Sequence, residues 1–156
     1  MTLPSLRIER DDLTSAQILS LLQFHLDQMH RWSPPESIHA MPAEMLRAAD
    51  VDFFSAWTAE DLAGCGAIRM IAPHHAELKS MRVDPRFLRQ GVGEAILLHL
   101  LQEARARGCK RVSLETGRPA PFHAAHALYR KHGFAECPPF GNYLPDDFSL
   151  CMTRIL

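Results

Sequence analysis

The chain has 156 residues, of which 47% are hydrophobic and 22% charged, a composition that is ordinary for a soluble globular protein. Its length predicts a single domain over residues 1–156. Its 17 basic and 18 acidic side chains give a net charge of −1, which argues against nucleic acid as the main partner, because binding a phosphate backbone needs a surplus of basic side chains.

Local composition disfavours two further classes of protein. No apolar run reaches the roughly 20 residues that a membrane-spanning helix needs, and the N-terminal "MTLPSLRIERDD" lacks a basic-then-apolar signal layout. We therefore expect a cytoplasmic protein without a membrane partner.

The four cysteines form no CxxC pair and the histidines match no metalloprotease spacing, so neither a disulfide framework nor a metal site is predicted.

Hydrophobic periodicity predicts the elements in the order β-α-α-β-β-β-α-β-α-β-β. The segments are a strand at residues 5–10, helices at 13–31 and 43–49, strands at 52–58, 62–71 and 76–83, a helix at 91–107, a strand at 110–116, a helix at 121–132, and strands at 134–137 and 148–156. Asp11 or Asp12 is the expected cap of the first helix. The helix at 91–107 is expected to bury Leu97, Leu100, Leu101 and Ala104. This order indicates a mixed sheet with helices packed on it.

A glycine pair opens the helix at 91–107. A P-loop would need Lys and Ser or Thr after Gly93, where the chain has Glu94 and Ala95. A dinucleotide-binding fingerprint is disfavoured because Ile96 stands where its third glycine would be, although Glu115 lies near the spacing of a ribose ligand. Two interpretations stay open: a helix N-terminus whose amides bind a pyrophosphate, and a loop that only turns the chain.

The segments "AELKSMRVDPRFLRQGVGEAILLHLLQEARARG", "KRVSLET" and "HALYRKHGF" resemble the GNAT superfamily of N-acetyltransferases. The resemblance implies an α/β fold of mixed α+β type: a mostly antiparallel central sheet of about seven strands flanked by about four helices, with a splayed-strand wedge for acetyl-CoA. It departs from the family pattern twice. Leu88 replaces the Gln or Arg that begins the phosphate loop, and Phe122 replaces an asparagine that is frequent before the signature tyrosine.

The resemblance also implies where acetyl-CoA binds. Backbone groups near Met81 and Val83 are expected to pair with the pantetheine arm like an added strand, and Arg89 or Arg86 to supply the charge missing at Leu88. The full predicted set is Met81, Arg82, Val83, Arg89, Gln90, Gly91, Val92, Gly93, Glu94, Phe122 and Ala125.

Two residues are candidates for the chemistry. Tyr129 matches the family tyrosine that protonates the departing thiolate, and the alternative is a helix tyrosine that packs on the sheet. Glu77 matches the catalytic glutamate of the histone acetyltransferase branch. Lys79 lies two residues further on the same strand face and would lower the pKa of that carboxyl. A salt-bridged, structural Glu77 and a water chain as the base therefore remain alternatives.

Acceptor choice is expected to come from two proline-rich loops, "HRWSPPESIHAMP" and "CPPFGNYLPDDFSL". Trp32 and Tyr143 offer aromatic walls, Glu36 could hold an ammonium, and Arg31 or Arg82 a carboxylate. For any one of these charges, a solvated loop position is the simpler explanation.

Together these features predict an N-acetyltransferase. It would move an acetyl group from acetyl-CoA to a small-molecule or amino-acid-like amine by direct attack in a ternary complex, without a metal, and a homodimer is a further expectation. The alternatives are a non-catalytic acyl-CoA-binding module, an enzyme that acetylates a protein or peptide amine, and a nicotinamide-dependent reductase.

Overall fold

The helices and strands begin and end close to where the periodicity places them. The computed structural model describes residues 5–156. The strands are β1 (Leu6–Arg10), β2 (Val51–Thr58), β3 (Asp61–Ala72), β4 (His75–Val83), β5 (Arg111–Gly117), β6 (Ala135–Cys137) and β7 (Ser149–Ile155). The helices are α1 (Ala16–Trp32), α2 (Ala43–Leu46), α3 (Val92–Ala106) and α4 (His123–Lys131). Single 3₁₀ turns lie at Pro35–Ser37, Pro85–Phe87 and Ala120–Phe122.

The seven strands form one sheet in the order β1-β2-β3-β4-β5-β7-β6. Every neighbouring pair is antiparallel except β4 and β5, which are parallel and are joined through α3. A parallel pair needs a crossover of this kind, whereas hairpins connect antiparallel strands directly. The predicted fold class, a mostly antiparallel sheet flanked by four helices, is confirmed.

Helices cover both faces of the sheet. On one face, α3 buries the predicted residues Leu97, Leu100, Leu101 and Ala104 completely. Gly64 in β3 permits this close approach, because a Cβ there would lie 2.8 Å from Ile96 Cδ1 and 2.8 Å from the Arg82 carbonyl oxygen. On the other face, α1 packs Ile18 and Leu22 against β2 and β3.

The predicted cap of α1 is wrong. The side chain of Ser15, not that of Asp11 or Asp12, accepts the hydrogen bond from the Ile18 amide, at 3.1 Å. Leu13 has a left-handed φ of 61°, so the helix cannot include it and starts later than the apolar pattern suggests. The carboxylate of Asp11 instead accepts hydrogen bonds from the Leu13 amide and from the Ser55 hydroxyl.

Candidate active site

The site opens where β4 and β5 separate. Their parallel ladder joins only His75–Glu77 to residues 111–113, after which each strand pairs only with its outer neighbour. Beyond this point β4 carries a bulge: Ser80 has a left-handed φ of 54°, and the register against β3 shifts between Cys65 and Ala67. Because a bulge bends its strand, β4 diverges from β5 and leaves a cleft of about 180 Å³.

Seven of the predicted site residues line this cleft: Trp32, Met81, Arg82, Phe122, Ala125, Tyr129 and Tyr143. The two loops predicted to choose the acceptor also meet there. The Ser37 hydroxyl donates a hydrogen bond to Asp146, and the ring of His39 packs edge-on against Tyr143 with centroids 4.9 Å apart. Residues distant in sequence are thus brought to one cavity.

Tyr129 is almost fully buried but reaches the cleft from α4. Its ring packs against Phe134, with centroids 5.8 Å apart. Its hydroxyl forms no side-chain hydrogen bond with any other group of residues 5–156. Burial raises the pKa of Tyr129 to about 12, while the positive charge of Arg82 acts in the opposite direction. The hydroxyl is therefore protonated at neutral pH and free to donate.

Glu77 does not line the cleft but lies behind Lys79 and Tyr143, which do. The Tyr143 hydroxyl donates to Glu77 Oε2 at 2.5 Å and accepts from Lys79 Nζ at 2.8 Å. Lys79 Nζ also lies 3.5 Å from Glu77 Oε2. Burial, and then the negative charge of Glu77, raises the pKa of Tyr143. This arrangement matches the salt-bridged alternative for Glu77.

Sequence reasoning missed Glu115 as a catalytic candidate. Glu115 lies on β5, opposite the β4 bulge, and lines the cleft. Burial raises the pKa of Glu115 to about 7, with Lys79 opposing and the charge of Glu77 reinforcing the shift. The only sequence signal for this residue is a carboxylate in an otherwise buried strand, "VSLE", at a spacing near that of a ribose ligand. A carboxyl that titrates near neutral pH is suited to general-base catalysis.

The glycine loop presents free amides at the N-terminus of α3. Its first helical hydrogen bond runs from the Ala95 amide to the Gly91 carbonyl at 3.0 Å, and no amide of residues 88–94 donates to an acceptor within the described chain. Gly91 caps the helix in a left-handed conformation, with φ of 84°, which favours glycine. Unpaired amides and the helix dipole together favour an anion here.

The charged side chains around this loop are not equally available. Arg86 is paired with Asp84 at 3.1 Å, and Glu94 with Lys131 at 2.7 Å and with His132. In the described part of the chain Arg89 forms no salt bridge. Of the two arginines that might replace the missing family residue, only Arg89 is therefore unpaired, and Glu94 can offer its amide but not a free carboxylate.

Of two further predicted site residues, Phe122 lines the cleft and Glu36 does not. The ring of Phe122 contacts those of Trp32 and Phe148, with centroids 5.8 and 5.7 Å away, and lies so close to Gly117 that it leaves no room for a Cβ there. It therefore shapes the wall of the cleft. Glu36 is exposed and lies outside the cleft, because the 3₁₀ turn that carries it directs Ser37 inward instead.

The described residues contain neither a cluster of metal ligands nor a membrane-spanning helix. Over residues 5–156 no group of three or more His, Cys, Asp or Glu side chains is placed to hold a metal ion. Within the same residues, no helix combines the length and the apolar character required to cross a bilayer.

Comparison with known proteins agrees with this geometry. The model of the acetyltransferase (GNAT) family matches residues 18–134. The chain is 46% identical over 151 residues to the uncharacterized N-acetyltransferase YsnE of Bacillus subtilis (strain 168), covering 97% of this chain and 100% of that protein. It is 40% identical over 79 residues to the ribosomal protein bS18-alanine N-acetyltransferase of Escherichia coli (strain K12), covering 51% of this chain and 52% of that protein.

The fold is also that of a solved structure. A Bacillus subtilis acetyltransferase crystallised in complex with CoA superposes with a TM-score of 0.70 at 20% identity, over 97% of this chain and 99% of that one. The assignment to a family rests on the family model and on the relative that matches over its full length, whereas the structural similarity supports the fold alone. The chain belongs to the GNAT family of acetyltransferases and is an acyltransferase enzyme.

Proposed function

We propose that the protein transfers an acetyl group from acetyl-CoA to the amine of a small molecule, by direct attack within a ternary complex. One observation carries this proposal: Glu115 and Tyr129 face the same cleft, and the cleft opens where β4 loses its pairing with β5. A carboxyl that titrates near neutral pH and a protonated phenol are the base and the acid that amide formation from a thioester requires.

The loop and β4 fit the donor. The free amides of residues 88–94 would bind its pyrophosphate, with Arg89 as the nearest unpaired arginine. Beyond Glu77 the edge of β4 that faces β5 has no partner strand, so backbone groups of Met81 and Val83 can pair with the pantetheine amides. Bound acetyl-CoA supplies the thioester carbonyl to be attacked. A β4 amide near Met81 would polarise that carbonyl oxygen.

Glu115 would take a proton from the acceptor's ammonium group, which leaves a neutral amine nitrogen to form the new C–N bond. The C–S bond breaks as this bond forms, and the Tyr129 hydroxyl would give its proton to the departing sulfur. The second proton lost by the nitrogen as it becomes an amide would then restore the Tyr129 hydroxyl. Glu77 has a different part: it holds Tyr143 and Lys79 in place at the edge of the cleft. This assigns the base to Glu115 instead of Glu77.

A protein or peptide amine is the second candidate acceptor. The observation that favours it is the partial similarity to the ribosomal protein bS18-alanine N-acetyltransferase. The cleft favours the small molecule, because the hydrogen bond from Ser37 to Asp146 joins the two acceptor loops across it. A homodimer, the cytoplasmic location and the absence of a nucleic-acid partner stay predictions.

Two measurements test the proposal. In thermal unfolding, acetyl-CoA should raise the melting temperature and NADPH should not, because only a ligand that binds the folded state stabilises it. Acetyl-CoA should then release free thiol in the presence of small amines. Stabilisation by acetyl-CoA without thiol release from any amine or peptide would favour a non-catalytic binding module. Release with peptides alone would favour the second candidate acceptor.

A further inference from the structure

Arg82 is a partly buried cation without an acidic partner. It follows the β4 bulge, opposite Cys65 of β3, on the sheet face that α1 covers. Its Nε donates a hydrogen bond to His25 Nδ1 at 2.9 Å. In residues 5–156 no carboxylate forms a salt bridge with its guanidinium, and the two terminal NH₂ groups have no hydrogen-bond acceptor. Burial lowers the pKa of Arg82, yet an arginine stays charged at neutral pH.

The guanidinium is held in a fixed orientation. Its Cζ lies 5.7 Å from the ring centroid of Phe24 and 5.7 Å from that of Trp32. Burial, together with the charge of Arg82, lowers the pKa of His25 to about 3, so His25 is neutral at physiological pH and accepts the hydrogen bond. The two rings and the imidazole therefore orient the cation without neutralising it.

A partly buried cation without a counter-ion has lost part of its hydration, and a bound anion would offset that loss. Arg82, His25 and Trp32 all line the cleft, so this anion would lie in the cleft. The donor's pyrophosphate has a different site, at the amides of residues 88–94 beyond Val83. Val83 faces α3, as its 3.4 Å approach to a Cβ at Gly93 shows. Arg82, next to it in the strand, faces the opposite side.

We propose that the acceptor is an amino-acid-like molecule whose carboxylate binds Arg82 while its amine lies beside Glu115. This inference rests on the proposed acetyltransferase function and names its substrate class. Tyr129 lies close enough to both residues that the charge of Arg82 lowers its pKa and that of Glu115 raises it. A zwitterionic acceptor would thus match the two charges that the cleft presents near Tyr129, the cation of Arg82 and the carboxylate of Glu115. The planar fork of arginine binds a carboxylate through two parallel hydrogen bonds.

The test compares L-amino acids with their carboxamides, which keep the amine and lose the carboxylate. For the wild-type protein, kcat/KM measured by thiol release should be about 10- to 100-fold higher for the amino acid than for its carboxamide. This ratio corresponds to the free energy of hydrogen bonds between charged groups. Arg82→Gln should bring the two substrates to within about threefold, by lowering the value for the amino acid alone. Arg82→Lys should restore part of the preference, since it keeps the charge but not the fork.

Arg31→Gln is the matched control, because Arg31 is exposed near the end of α1 and outside the cleft. It should leave the preference unchanged. Acetyl-CoA affinity and the melting temperature of each variant show whether Arg82→Gln only damages the fold. If Arg82→Gln lowers kcat/KM equally for amino acids and carboxamides, or if the wild type shows no preference, the inference is wrong.

A binding measurement separates this inference from the proposed function. With CoA present, calorimetry should detect binding of N-acetyl amino acids but not of the corresponding N-acetyl amino acid carboxamides. Arg82→Gln should abolish that difference in binding. Absence of thiol release with every amine would contradict the proposed function, whereas an Arg82-dependent preference for the carboxylate in calorimetry would still support the carboxylate site. Absence of that preference in calorimetry overturns the inference, and so does its absence from the kinetic comparison when thiol is released.

Discussion

Glu77 and Ser113 form the last pair of the parallel ladder between β4 and β5, and the candidate active site begins directly beyond them. Glu77 therefore marks where the sheet splits. Its carboxylate binds Tyr143 and Lys79, which places the loop before β7 against β4 at this point. Glu115, two residues beyond Ser113 on β5, faces the cleft so created. This arrangement separates a supporting carboxylate from a candidate base.

Glu115→Gln should remove the acidic limb of the pH–rate profile. In the wild type, kcat/KM is expected to rise with pH and level off above about 7, because only the ionised carboxylate accepts a proton. The variant should lose about 10²- to 10⁴-fold in kcat and keep its acetyl-CoA affinity. An unchanged acidic limb in the variant would assign the base elsewhere.

Glu115 should also affect stability with a defined sign. Its pKa in the folded protein is raised from 4.5 to about 7, so ionisation is harder in the folded than in the unfolded chain. Its contribution to the free energy of unfolding is thus largest below pH 4.5 and decreases as the pH rises through about 7. The free energy of unfolding of Glu115→Gln minus that of the wild type should therefore be larger at pH 8 than at pH 5, as measured by denaturant unfolding.

Tyr129→Phe should lower turnover far more than it weakens acetyl-CoA binding. The ring that packs against Phe134 is retained, so the fold should be kept, and only the proton donor is lost. We expect a decrease in kcat of about 10²-fold or more, measured by thiol release at saturating acetyl-CoA. Equal turnover in the two proteins would remove Tyr129 from the mechanism and leave it the packing role.

Glu77→Gln should act mainly on stability. It leaves the Lys79 ammonium, whose side chain is 10% exposed, without its acidic partner. Breaking a buried pair in this way costs about 3 kcal/mol in the free energy of unfolding. Tyr143→Phe is the companion variant, because it removes the bridging hydroxyl and leaves the Lys79–Glu77 pair. Loss of the acidic limb in Glu77→Gln, with Glu115 present, would return the base to Glu77.

Gly91→Ala should weaken acetyl-CoA binding, and Gly141→Ala is its matched control. Both glycines have positive φ, 84° and 56°, and an added Cβ meets no atom within 4 Å at either position. Each substitution should therefore cost about 1 kcal/mol of stability through backbone strain alone. Only Gly91→Ala should raise the Kd of acetyl-CoA, because only Gly91 begins the helix whose amides are free. A matching rise in Gly141→Ala would trace the effect to general destabilisation.

The order of the elements, the buried face of α3 and the family followed from the sequence alone. Helical and strand periods record which side of each segment is buried, and the segments around Gly91 and Tyr129 carry the family pattern. The capping residue of α1 could not be predicted from the sequence, because hydrophobic periodicity does not show that the backbone of Leu13 is left-handed.

The composition of the site depended on the tertiary structure. Glu77 and Glu115 are both single carboxylates in strands. The family resemblance favours Glu77, and nothing in the sequence shows which of the two faces the cleft. The fold distinguishes them because the β4 bulge opens the cleft towards Glu115, while Tyr143, from a loop 66 residues after Glu77, covers Glu77 with a hydrogen bond. The isolation of Arg82 likewise arises from contacts with α1, whose His25 lies 57 residues before it in sequence. Burial and pairing of charges are properties of non-local contacts, so only the folded chain determines them.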